Sequence, residues 1–100
     1  MWPNRRVIEL FGVEHPILLA PMAGAVDYEI AVEVAEGGGL ASIPCAMLAP
    51  ETLREQFDRF RSKTSKPINF NFFCHTPPSP NNAREDAWRE RLSVLPGTWR

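Results

Sequence analysis

The sequence predicts a parallel α/β architecture made of three strand–helix units. Three apolar runs carry that reading. Ile17–Ala20 halts at Pro21 and passes through Gly24 into a helical pattern. Leu40–Ile43 follows Gly37-Gly38-Gly39 and stops at Pro44. Pro67–Phe73 alternates apolar and polar residues. Strand and helix alternating three times imply parallel strands joined by right-handed crossovers, with the helices on one side.

Taken in order, Val7–Phe11 ahead of Gly12 reads as a short opening strand or arm, and His15-Pro16 leads into the first main strand, Ile17–Ala20. A helix is expected from about Asp27 to Glu36. Asp27 is placed to cap it, with Glu29 and Glu33 on its polar side. Val26, Ile30 and Val34 recur every four residues beside Ala31 and Ala35, which makes one apolar stripe. A glycine of the 37–39 run is expected to take the left-handed conformation that ends the helix. After the strand Leu40–Ile43, a second helix opens near Pro50-Glu51, with proline at a first-turn position. Leu53, Phe57 and Phe60 form its buried face, and Arg54, Arg59, Arg61 and Lys63 a solvated one. Beyond the third strand, Thr76–Asn82 is a proline-rich loop and Ala83–Leu95 a third helix, with Ala87, Trp88, Leu92 and Leu95 as its apolar set.

Two features of the strands point to a ligand. The turn Ala20-Pro21-Met22-Ala23-Gly24 clears bulk from the end of a buried strand, so backbone can approach something flat or anionic. In parallel α/β folds ligands sit at the carboxyl ends of the strands. A Pro-x-x-Gly by itself equally describes an ordinary strand-to-helix connection. In Pro67–Phe73, Ile68, Phe70 and Phe72 point one way and Asn69, Asn71 and Phe73 the other. Unpaired amides cost a few kcal/mol when pressed against apolar helices. The apolar set is therefore expected to face the helices, and the asparagines a barrel interior or crevice. Either the amides bond neighbouring backbone and water, or they meet a polar ligand, with Asn71 nearer the carboxyl end.

Composition narrows the classes of function. The 100 residues are 44% hydrophobic and 23% charged, with formal net charge −1. Such a balance gives no electrostatic footprint for nucleic acid or an anionic membrane. No apolar run approaches the roughly 20 residues of a spanning helix. Arg5-Arg6 precede Val7-Ile8, but Glu9 interrupts before any signal-peptide core forms. Cys45 and Cys74 lie in different units without metal-type spacing. They read as packed free thiols in a reducing cytoplasm, with no metal site.

Three segments together, Pro16–Gly24, Ala35–Ile43 and Lys66–His75, resemble the start of the nitronate monooxygenase family, formerly called 2-nitropropane dioxygenases. The resemblance runs from about Arg6 to about Arg91, and the third segment is its most specific part. It implies the first three βα units of an FMN-dependent TIM barrel, incomplete, with residues 1–100 as the N-terminal fragment of that single domain. Such enzymes oxidise alkyl nitronates with O2 to a carbonyl compound and nitrite through a flavosemiquinone. By the same resemblance, Ala20, Pro21, Met22, Ala23 and Gly24 lie against the isoalloxazine, and Asn71 hydrogen-bonds the flavin. His75 falls on the family's Cys-His pair and is read as structural or pocket-lining. The family's FMN phosphate site and catalytic histidine lie downstream of Arg100, so no catalytic residue is expected within the chain. The tail Leu95–Arg100 drifts from the family pattern.

Three alternatives compete. A dihydrouridine synthase shares a start like Leu19–Asp27 but not Gly37–Gly39 or Asn69–Phe73. A flavin-dependent enoyl-acyl-carrier-protein reductase resembles the nitronate enzymes over the same region. A non-catalytic truncated product would bind no flavin tightly. Three strands of eight leave open edges that favour association.

Overall fold

A computed structural model describes residues 2–94, in the order α1 (Arg6–Phe11), α2 (Tyr28–Glu36), β1 (Ala41–Pro44), α3 (Pro50–Lys63), β2 (Ile68–Asn71) and α4 (Asn82–Leu92). The expected opening strand at Val7–Phe11 is instead a short helix, α1. The Asn4 side chain accepts from Arg6 N–H at its start, and Gly12, at φ 65°, closes it with its N–H on Ile8 O. A left-handed glycine after a single apolar cluster ends a helical turn, and no strand lies alongside to pair with it.

The three expected strands are neighbours, parallel and in chain order. β1 pairs with β2 in the register Ala41↔Ile68 to Pro44↔Asn71. Ile17–Ala20 joins the other edge of β1 through a single parallel bridge, Leu18↔Leu40. Its two bonds are Leu19 N–H to Leu40 O and Leu40 N–H to Ile17 O, at 2.9 and 2.8 Å. Pro16 and Pro21 bracket this segment and donate nothing, which keeps its ladder to that one rung. The third strand also stops early, at Asn71, leaving Phe72 and Phe73 exposed.

α2 packs on β1 and against α3. Asp27 caps α2 as expected, its carboxylate accepting from Glu29 and Ile30 N–H. The buried stripe, however, is Ala31, Val32 and Ala35, and Ile30 is exposed. The two alanines bring the helix close to the sheet, and this turns the larger Ile30 outward. Gly38, at φ 86°, carries the left-handed conformation expected of the glycine run. Its carbonyl accepts from both Glu14 and His15 N–H at 2.9 Å, tying the N-terminal arm to the end of α2.

The core joins Ala31, Val32 and Ala35 to Ala41, Ile43, Cys45 and Phe60, with Leu53, Ile68 and Phe70 packed against it. Phe60 is fully buried and Phe57 stacks edge-on with Phe70, ring centroids 5.4 Å apart. β2 therefore turns Ile68 and Phe70 toward the helices, as its alternation predicts. α4 departs from expectation. Asn81 caps it by accepting from Arg84 N–H, yet the helix has no buried residue, and Trp88 and Leu92 are exposed. Leu95, the last of its expected apolar set, and the tail Leu95–Arg100 lie outside the described residues. The radius of gyration, 19.1 Å, exceeds the roughly 13 Å of a compact chain this long.

Candidate functional site

Parallel strands bring their carboxyl ends to one side, where the turn Ala20–Gly24 and Asn71 both belong. Ala20–Gly24 follows the segment bridged at Leu18↔Leu40, and Asn71 ends β2 opposite Pro44. Two strand spacings, about 9–10 Å, separate the turn's strand from β2. Ala20–Gly24 is exposed and bends where Ala25 and Val26 N–H both donate to Met22 O. Gly24 has φ 78°, which demands glycine, and a Cβ there would meet nothing within 4 Å. The turn's backbone is thus bare on its outer side.

Ala23 and Gly24 share a cleft of about 260 Å³ with Pro44, Met47, Leu48 and Gln56. Asn71 and Ala20–Met22 do not line it. Asn71 is half-buried; its carbonyl accepts from Cys45 N–H at 2.9 Å. Alternation turns its amide to the side away from the helices. One rung below, Asn69 Nδ2 donates to Ser42 Oγ at 3.2 Å across the strand pair. So Asn69 is satisfied by a neighbour, whereas the Asn71 amide has no hydrogen-bond partner among the described residues. An exposed, bulk-free backbone and an amide, each following the carboxyl end of a parallel strand, suit the face and edge of a flat, polar-rimmed ring.

The thiols differ from each other. Cys45 is buried at the end of β1 with its Sγ on Ile43 O at 3.2 Å, and burial pushes its pKa up. It is a packed thiol, as expected. Cys74 is exposed, contrary to expectation, because β2 ends three residues before it. His75 is exposed beside Phe73, ring centroids 6.1 Å apart. A larger cavity, about 580 Å³, lies along α2, lined by Glu29, Ile30, Val32, Glu33, Val34 and Lys63. None of the sequence-predicted site residues lines it.

Sequence reasoning passed over Gln56. It stands between Glu55 and Phe57 on a helix otherwise sorted into charged and apolar faces, and its spacing one turn before Phe60 was the available signal.

Parallel strands with helices on one side and a cleared carboxyl end define part of a βα barrel of the ligand-binding kind. The nitronate monooxygenase family model matches residues 4–98, and the chain belongs to that family. It is 40% identical over 90 residues to a nitronate monooxygenase of Pseudomonas aeruginosa, covering 90% of this chain and 26% of that protein. With its counterpart from Paraburkholderia phytofirmans the identity is 36%, covering 90% and 25%. The chain thus spans about a quarter of the length of these curated relatives. Among solved structures, FabK from Thermotoga maritima matches with TM-score 0.66 and 39% identity over 72% of this chain and 23% of that one. Nitroalkane oxidase from Streptomyces ansochromogenes matches with TM-score 0.65 and 27% identity, over 87% and 24%. These neighbours are TIM-barrel enzymes, and this chain forms the first three βα units of that fold.

Proposed function

We propose that residues 1–100 are the N-terminal, cofactor-facing part of a single FMN-binding barrel domain that oxidises alkyl nitronates with O2 to a carbonyl compound and nitrite. Family membership supplies the reaction class. What supports the assignment to this chain is that the bare turn Ala20–Gly24 and the Asn71 amide, unpaired among the described residues, both follow the carboxyl ends of parallel strands. Bound FMN would supply the electron-transfer chemistry. The residues of this chain would do the holding. The backbone of Ala20, Pro21, Met22, Ala23 and Gly24 would lie against the ring face, and the Asn71 amide would hydrogen-bond its polar edge. Exposed Met22 would help to keep water from that face. A nitronate is already deprotonated, so these units need no base. The phosphate anchor and any base for neutral nitroalkanes belong to other units of the barrel. We place the protein in a reducing cytoplasm on its two free thiols.

The test titrates FMN by fluorescence quenching and follows nitronate-dependent oxygen uptake. The 100-residue chain alone should bind FMN weakly and show no uptake above background, because the phosphate anchor is assigned here to other units of the barrel. In the chain continued into a complete barrel, Asn71→Ala should weaken FMN binding about tenfold, the worth of one hydrogen bond of this kind. Full flavin occupancy and activity in that variant would remove Asn71 from the site.

A further inference from the structure

Arg59 lies on the exposed face of α3, as the sequence predicts, but its guanidinium has partners there. Its Cζ stands 5.4 Å from the centroid of the Tyr28 ring, and its Nη2 lies 2.6 Å from Glu55 Oε1, one turn back on the same helix. Glu55 thus anchors the planar cation while it covers the ring, a pairing that arginine favours over lysine. Tyr28 is itself held: it packs against the core, and its hydroxyl donates to Glu29 Oε1 at 3.1 Å. Tyr28 is also the first residue of α2, and the residues before it are bonded back to the turn. Asp27 caps the helix through Glu29 and Ile30 N–H, and Ala25 and Val26 N–H donate to Met22 O. The turn and the start of α2 therefore form one hydrogen-bonded unit. Sideways that unit is little tied. Among the described residues no hydrogen bond joins Ala20–Val26 to α3 or to the β1–α3 connection, and a cleft of about 260 Å³ is lined from both. Going along the chain from the turn, Tyr28–Arg59 is the first polar tie across to α3 among the described residues.

We infer that Arg59 is a positioning residue for the turn Ala20–Gly24: by clasping Tyr28 it holds the start of α2 against α3, and so fixes where the turn stands at the strand ends. The inference rests on the proposed function for its purpose, since this turn is the one set against the flavin ring. The clasp itself needs no flavin. Arg59 acts from the helical layer, through Tyr28.

The experiment is a double-mutant cycle on the full chain, Arg59→Gln against Tyr28→Leu, read by amide hydrogen exchange at Ala25 and Val26. Arg59→Gln should lower protection at both amides about threefold, the worth of one exposed cation–π contact, and leave the middle of α3 unchanged. In the Tyr28→Leu background the same substitution should change nothing further. Arg59→Lys, which keeps a cation for the ring, should restore most of the protection. If Tyr28→Leu does not fold, Tyr28→Phe takes its place: it keeps the ring, so Arg59→Gln should cost about the same threefold there. FMN titration is the second readout. In the chain continued into a complete barrel, Arg59→Gln should weaken FMN binding about threefold. Equal losses from Arg59→Gln with and without the Tyr28 ring would overturn the inference, and so would unchanged protection or a fall spread evenly over α3. A coupled loss of protection with FMN affinity unchanged would overturn it as well, leaving a clasp that does not position the turn. A complete barrel that binds no FMN, yet shows the coupled exchange, would overturn the flavin reading and retain the clasp.

Discussion

Phe60 and Phe70 look alike in the sequence, each an aromatic on the apolar side of its element. Phe60 is fully buried among Ala31, Ala35 and Ile43, whereas Phe70 is half-buried on the outer face of β2. Phe60→Ala should therefore cost about 3–5 kcal/mol and Phe70→Ala distinctly less. Chemical denaturation of the two variants checks the order, and equal losses would contradict this packing. A different residue pair governs pH. Lys66 Nζ lies 2.7 Å from Glu14 Oε1. Its hydrogen bond and charge hold the Glu14 carboxyl below its ordinary 4.5, and Glu14 in turn raises Lys66 above 10.5. A depressed carboxyl contributes stability above its unfolded value, lost as pH falls through the folded one. The raised amine contributes below 10.5 and is lost as pH rises beyond its folded value. Tm should thus decline below about pH 4.5, and Glu14→Gln should flatten that limb in a melting series. Both side chains are substantially exposed, so the effect is small and screened by salt.

At the scale of elements, α2 and α4 show what periodicity can and cannot decide. Asp27 and the glycine run set the ends of α2 through local bonds, and both were legible. Which face it buries was off by about one residue, because the close approach of Ala31 and Ala35 to β1 is a tertiary fact. In α4, Ala87, Trp88 and Leu92 read as a core-facing set, yet no residue of the helix is buried. It follows a stretch containing Pro77, Pro78 and Pro80, which favours an extended, semi-rigid connection. Ending the chain at Thr76 should consequently leave Tm and the denaturation midpoint unchanged within error. A loss of several degrees on that truncation would show that α4 contributes to the core.

Across the whole molecule, strand order and direction were readable because alternation and crossover rules act on any parallel α/β chain. The side occupied by Asn69 and Asn71 followed from the pleat alone. The opening helix was not, since six residues around Ile8 carry too little pattern to separate a turn of helix from an arm. Within the candidate site, the bare turn and Asn71 were visible as residue types at strand ends. Gln56 was hidden, because what marks it is a buried carboxamide oxygen with no donor among the described residues. That property exists only once the chain is folded.

The double acceptance at Gly38 O bears on time as well as on structure. Glu14 and His15 N–H bond to a carbonyl in the turn that closes α2, and Leu18 then meets Leu40 two residues beyond it. Until that turn exists, Ile17–Ala20 has nothing against which to find its register. α2 and its glycine turn should therefore form early, with the segment bearing the proposed cofactor turn recruited late. Trp2, whose Nε1 lies 3.4 Å from His15 Nδ1, reports that arrival. With Trp88→Phe and Trp99→Phe as background, Gly38→Ala should slow the Trp2 fluorescence phase of refolding; an unchanged rate would place docking of the arm ahead of the turn. On that order, the proposed cofactor turn would be the last part of this region to be made.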